Sequence, residues 1–157
     1  MPEDVTGFQS HNHSTCMKDG LDAAEAYCAE KRLRMTPVRR RALEILLESH
    51  KAQGAYDVLA RFEEEGLGSK PPVAYRALNF LVENGLAHRI EKLNAYVACC
   101  HPGASHTPAF LICRDCKTIA EATEFSAGLA RSAEASGFQV EKTIIEAEGL
   151  CPSCQAA

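Results

Sequence analysis

The chain has 157 residues, 46% of them hydrophobic and 24% charged, with a formal net charge of −4 at pH 7. That length fits one domain or two small ones, and the composition excludes a disordered chain. No apolar run reaches the ~18 residues of a membrane span, so no membrane partner is expected. The opening MPEDVTGFQSHNHSTCMKDG has neither the basic start nor the apolar stretch of a signal peptide, which makes a cytoplasmic location the expectation. Thiols stay reduced there, so eight cysteines read as metal ligands or redox groups before disulfides. The negative total hides an asymmetry. Residues 30–92 carry twelve basic and nine acidic groups, whereas the segments before and after them are net acidic.

Residues 1–18 are polar and are expected to form a flexible tail. Within it, His11-x-His13-x-x-Cys16 has ligand-type residues, but a polar tail is the simpler reading. Asp19 to Arg32 is a helix candidate with Leu21, Ala24 and Cys28 on one stripe, which makes Cys28 a core residue. In RMTPVRRRALEILLESH, Thr36 is an N-cap residue and Pro37 takes the first helical position. A third helix is expected over Ala55–Glu65, stopped by Gly66. A fourth runs from Pro71 or Pro72 to Asn84, stopped by Gly85. The period then changes. Leu86–Ile90 and Ala95–Ala98 flank a turn, as in a hairpin. Helix, turn, helix and hairpin is the order of a winged helix-turn-helix. Beyond it come strands at Phe110–Cys113 and Thr118–Ala122, a helix at Ser126–Ser136 and a strand at Phe138–Ala147, an α/β unit with its own small core.

The fourth helix, in PPVAYRALNFLVENG, buries Ala74, Ala77, Leu78 and Leu81 at i, i+3, i+4 and i+7. Its other face carries Tyr75, Arg76 and Asn79. Arg76 can read a guanine edge and Asn79 an adenine or a phosphate. Arg39, Arg40 and Arg41 open the second helix as candidate phosphate contacts, with Tyr56 beside them. An exposed Arg and Asn mean little alone. The hairpin and the local basic charge favour DNA.

Cysteine spacing gives the sharpest chemistry. Cys113-x-x-Cys116 and Cys151-x-x-Cys154 each turn two sulfurs toward one centre, and four thiolates complete a closed tetrahedral zinc site. The 34 intervening residues hold a strand, a helix and a strand, so such a site staples the two ends of the unit. His88 and Cys99 flank the hairpin's two strands, His106 follows in the loop and Glu121 ends a later strand. Together they fit a second, closed metal shell. By spacing alone they fit equally a surface histidine, a buried thiol and a solvated carboxylate. Cys100 and His101 directly follow Cys99 and are loop residues by default.

The stretches RMTPVRR, AYDVL, KPPVAYRALNFLVENGLAHRIE, NAYVAC, HTPAFLICRDC and IEAEGLCPSC resemble the ferric uptake regulator family, in particular its zinc uptake regulator branch. They span Arg34 to Cys154, most of the chain. The sequence reads HTPAF where iron-sensing relatives have an H-H-D-H run. The resemblance implies a homodimeric, zinc-responsive repressor of zinc-uptake genes that binds AT-rich palindromic operator DNA when zinc-loaded. The fold expected is α+β: a tail over 1–18, a winged-helix DNA-binding domain over 19–98 and an α/β dimerisation and metal-binding domain over 99–157. The resemblance places a structural zinc on Cys113, Cys116, Cys151 and Cys154, and a regulatory zinc on His88, Cys99, His106 and Glu121, two zinc ions per monomer. It gives Tyr75 and Arg76 to DNA.

A shell drawing ligands from two domains is complete in only one arrangement of them, so zinc would select that arrangement. A thiolate among the ligands favours zinc over iron or manganese. No catalytic residue and no small organic ligand are expected. The alternatives are a redox, peroxide or other metal sensor on the same fold, and a zinc enzyme with an open position at His88, Cys99 and His106.

Overall fold

The winged-helix signals lie on the chain in the order the architecture needs. The computed structural model describes Phe8 and residues 12–99, 102–103, 109–122 and 127–156. These fall into two compact units, one within Ser10–Ala104 and the other within Ser105–Ala157 with Met1–Gln9.

The first unit holds four helices and a hairpin: α1 (His13–Lys31), α2 (Pro37–Leu47), α3 (Ala55–Glu64), α4 (Pro71–Glu83), β1 (Ala87–Ile90) and β2 (Ala95–Ala98). Local chemistry sets each start. Thr36 accepts the Arg39 N–H at 3.3 Å ahead of Pro37. The Asp57 carboxylate reaches back to the Gly54 N–H at 3.0 Å and starts α3. Prolines occupy the first two positions of α4. The buried face of α4 is Ala74, Ala77, Leu78 and Leu81, as its periodicity requires. It packs with Leu43, Ile45 and Leu46 of α2, Val58 and Phe62 of α3, and Ala24 and Cys28 of α1 into one apolar core. In the hairpin, Ala87 faces Ala98 and Ile90 faces Ala95, with Asn94 at φ 48° closing the turn. Gln53 and Tyr96 exchange backbone hydrogen bonds of 2.8 and 2.9 Å, adding a short third edge to the wing.

Two boundaries differ from the sequence expectation. Helix α1 begins at His13 rather than Asp19, inside the span expected as a tail. The Asn12 side chain caps it by accepting the Thr15 N–H at 3.3 Å. The first turn is polar, so apolar periodicity could not reveal it. The first unit also runs past residue 98, because Cys99 donates its N–H to the Leu86 carbonyl at 3.0 Å and extends the hairpin ladder.

The second unit is a three-stranded sheet in the order β4-β3-β5, with β3 (Ala109–Cys113), β4 (Ile119–Ala122) and β5 (Ile145–Gly149), together with α5 (Ala127–Ser136) and the short α6 (Pro152–Gln155). Strands β3 and β4 are antiparallel, whereas β3 and β5 are parallel, the chain passing through β4 and α5 between them. Gly137, at φ 71°, terminates α5. The strand expected over Phe138–Ala147 is instead confined to Ile145–Gly149. Pairing runs only from Ala109↔Ile145 to Cys113↔Gly149, because β3 offers five residues. Phe138, Val140 and Ile144, apolar enough to suggest a strand, lie exposed outside it. No described helix is long and apolar enough to cross a membrane.

Candidate metal centres and nucleic-acid interface

The parallel register of β3 and β5 assembles the four-cysteine cluster. Cys113 ends β3 directly opposite Gly149, so Cys151, two residues further on, arrives beside it. Arg114 secures this end by donating its N–H to the Gly149 carbonyl at 2.9 Å. Lys117, at φ 64°, closes the Cys113–Cys116 turn through its N–H to the Cys113 carbonyl at 3.0 Å. The Cys154 N–H donates to the Cys151 carbonyl at 3.1 Å in the second knuckle. All four sulfurs lie within 4.8 Å of one another, with Cys116 Sγ and Cys151 Sγ at 3.7 Å.

The electrostatics call for a cation. Backbone N–H groups of Cys151 and Cys116 hold Cys113 down to about 6. The Thr118 side chain, 3.2 Å from Cys116 Sγ, lowers Cys116 as well. Cys154 is pushed up to about 12 by hydrogen bonds with Cys151 and Cys113. Four sulfurs this close cannot all be thiolates unless positive charge sits among them, and a divalent ion supplies it. The donor set therefore fits a closed tetrahedral zinc site.

The other predicted ligands are placed as follows. His88 lies on β1 opposite Val97, and Cys99 follows β2. A ring nitrogen of His88 and Cys99 Sγ come within 4.8 Å of each other, since both lie at the open end of one hairpin. Glu121 lies on β4 in the second unit and is only 4% exposed. A carboxylate this buried needs a charged or hydrogen-bonding neighbour. His106, Cys100, His101 and His11 lie outside the described residues. Cys28 is a core residue beside Ala24.

On the nucleic-acid side, Tyr75, Arg76 and Asn79 are all exposed on one face of α4, opposite its buried stripe. Tyr56, 68% exposed, stands in the first turn of α3. The α2 arginines are engaged within the unit. Arg39 donates to the Arg34 carbonyl at 2.7 Å, and its guanidinium lies 3.8 Å from the centre of the Phe80 ring. Arg40 pairs with Glu25 at 2.7 Å and also with Glu44. Arg41 binds both oxygens of Glu65, at 2.6 and 2.7 Å.

One cluster escaped the sequence. His13 and Cys16, on the first turn of α1, meet His50, which follows α2. The first two are visible as a pair; the third lies 34 residues beyond Cys16, and only the packing of α1 on α2 brings it in.

The family model of the ferric uptake regulator family matches residues 30–147. The chain belongs to the ferric uptake regulator family. Among members of that family, it is 37% identical to the zinc uptake regulation protein of Escherichia coli strain K12, over 89% of this chain and 84% of the relative. A solved zinc uptake regulator complexed with zinc and DNA is 35% identical, with a TM-score of 0.82 over 89% of this chain and 95% of that one. The crystal structure of holo XcZur is 38% identical, with a TM-score of 0.80 over 93% of this chain and 100% of that one.

Proposed function

We infer that this chain is a zinc-responsive transcriptional repressor that binds operator DNA when zinc-loaded and represses zinc-uptake genes. The observation that carries this reading is its likeness, over 89% of its length, to a zinc uptake regulator complexed with zinc and DNA. As a member of a regulator family it acts by binding, without a catalytic residue.

Each chain holds two zinc ions on this reading. The first sits on Cys113, Cys116, Cys151 and Cys154 and staples the second unit, supported by the convergence of the four sulfurs. The second, regulatory ion takes His88, Cys99, His106 and Glu121. Its support is the approach of His88 to Cys99 and the burial of Glu121. Zinc shifts the protein toward the DNA-binding state only by binding that state more tightly.

DNA contact falls on Tyr75, Arg76 and Asn79, with α4 as the element that reads the major groove. Arg39, Arg40 and Tyr56 flank it as backbone contacts. The two arginines would have to trade Phe80, Glu25 and Glu44 for phosphates, so each contributes less than Arg76. The protein works as a cytoplasmic homodimer. Support for the dimer comes from the second unit, where Leu129, Phe138, Val140 and Ile144 are exposed and β5 is an outer strand.

The test is operator binding by the purified protein, titrated with zinc against a chelator. Binding should appear with zinc and vanish with the chelator. Binding that ignores zinc and responds to peroxide would replace this reading with redox sensing.

A further inference from the structure

We propose that His13, Cys16 and His50 form an additional zinc site, lying wholly within the winged-helix unit and fastening the first turn of α1 to the end of α2. Their ligand atoms all lie within 4.8 Å of one another. A tetrahedral zinc with Zn–N near ~2.0 Å and Zn–S near ~2.3 Å sets its ligands about 3.5 Å apart, so small side-chain rotations close the gap.

Three features build this arrangement. His13 and Cys16 are three residues apart on a helix whose start is capped by Asn12, so both project from one face of the first turn. Gly20 lies close against α2: a Cβ there would come 2.8 Å from Leu47 Cδ2, so a larger residue would push that methyl aside. This close approach places the first turn beside His50, three residues after the last residue of α2. Finally, His13 Nε2 lies 2.5 Å from the Glu48 carbonyl oxygen. A carbonyl only accepts, so Nε2 carries the proton and Nδ1 holds the lone pair that can bind a metal. A ligating histidine anchored through its other nitrogen to a backbone carbonyl is the usual outer-shell arrangement of zinc sites. The His13 and His50 rings meet edge to face with centroids 5.4 Å apart, which directs two imidazoles to the same small volume.

The chemistry of the donors selects the ion. Two imidazoles and one thiolate suit zinc, and the soft sulfur disfavours magnesium, calcium and manganese. All three residues are only half-buried, so the ion can enter from solvent. Three protein ligands leave one coordination position for water. This site therefore holds zinc less tightly than the closed four-cysteine cluster and exchanges it sooner. The inference does not rest on the functional reading above, because none of its residues belongs to the ligand or DNA-contact sets assigned there.

The experiment uses the full-length chain without an affinity tag. Cobalt(II) is titrated into wild type, Cys16→Ser and His50→Ala, following thiolate-to-cobalt charge-transfer absorption, and zinc per chain is then counted after graded chelation. Wild type should bind one more ion per chain than either variant, and that ion should be removed before the zinc of the four-cysteine cluster. In wild type, the additional ion should also slow amide exchange in the first turn of α1, and neither variant should show this slowing. Equal stoichiometry in all three proteins would overturn the proposal. So would loss of the ion in Cys16→Ser with full retention in His50→Ala, which would make the cysteine act without its partners. Circular dichroism confirms that each variant is folded; should His50→Ala unfold, His50→Gln replaces it under the same criteria.

Discussion

The two units of this chain are held together by different means. In the winged-helix unit, Leu43, Ile45, Leu46, Phe62, Leu78 and Leu81 are almost wholly buried in one apolar cluster that draws on all four helices. Among the described residues of the second unit the buried apolar set is small: Ala109, Phe110, Ile112, Ile119, Ala120, Ala122 and Ala133, with the sulfurs of Cys113 and Cys151 beside them. Burial contributes roughly 25 cal/mol per Å² of apolar surface, and alanines offer little surface to bury. A unit of this size with so thin a core needs a staple. The four cysteines stand where a staple closes the ends of β3 and β5 together. On the function proposed above, metal does two kinds of work: it would substitute for a hydrophobic core in one unit, and elsewhere come and go as a signal.

The largest expected effect breaks the staple. Cys113→Ser or Cys151→Ser should unfold the second unit and dissociate the dimer, because binding energy at a structural zinc is folding energy. Analytical ultracentrifugation and thermal melts would read it. A dimer of unchanged melting temperature would mean that the second unit stands on its core after all.

The counterpart in the first unit is Phe62→Ala, which should cost ~3–5 kcal/mol through the cavity it leaves. Chemical denaturation followed in the winged-helix unit should give the same loss in zinc-replete and chelated protein. A loss that appears only after chelation would show that metal, rather than this core, carries the unit's stability.

Arg76→Ala sharpens the contrast between holding and reading. It is exposed, so folding should be unaffected, while operator binding should fall by ~1–3 kcal/mol and binding to random DNA hardly at all. Equal weakening on both DNAs, measured by fluorescence anisotropy, would make Arg76 a phosphate contact.

The smallest effect is in the ion pairs of the first unit. Arg61 holds Glu48 below the ordinary 4.5, and Arg41 does the same for Glu65. Depressed carboxylates stabilise the fold fully above their unfolded value, and the stabilisation is lost as pH falls through the folded one. Melting curves of wild type and Glu48→Gln should therefore differ by under ~1 kcal/mol near neutral pH and converge as pH falls through the depressed folded value. A difference that persists at low pH would assign Glu48 a role other than its charge.

Local signals made most of this legible in the sequence. Pro37, Pro71 and Gly85 punctuate helices through their own backbone chemistry, and the Ala74, Ala77, Leu78, Leu81 stripe reports its buried face directly. Each Cys-x-x-Cys pair is a turn that needs no distant partner to be recognised. What stayed hidden depends on tertiary placement. The length of β5 is dictated by β3, so Phe138 and Val140 read as strand and are not. Helix α1 starts in a polar turn that Asn12 caps, which hydrophobic period cannot report. His50 joins His13 and Cys16 only through the packing of α1 on α2, which no local pattern reports.

The division between a holding and a sensing metal is tested most directly by zinc-dependent operator binding of the Cys99→Ser protein, with zinc per chain counted in the same sample. Cys99 belongs to the hairpin and to neither Cys-x-x-Cys pair, and a hydroxyl is a poor zinc ligand near neutral pH. The account predicts a folded dimer that keeps its tightly held zinc yet fails to bind the operator at zinc concentrations that saturate the wild type. A Cys99→Ser protein that binds the operator with the wild-type zinc dependence would contradict it.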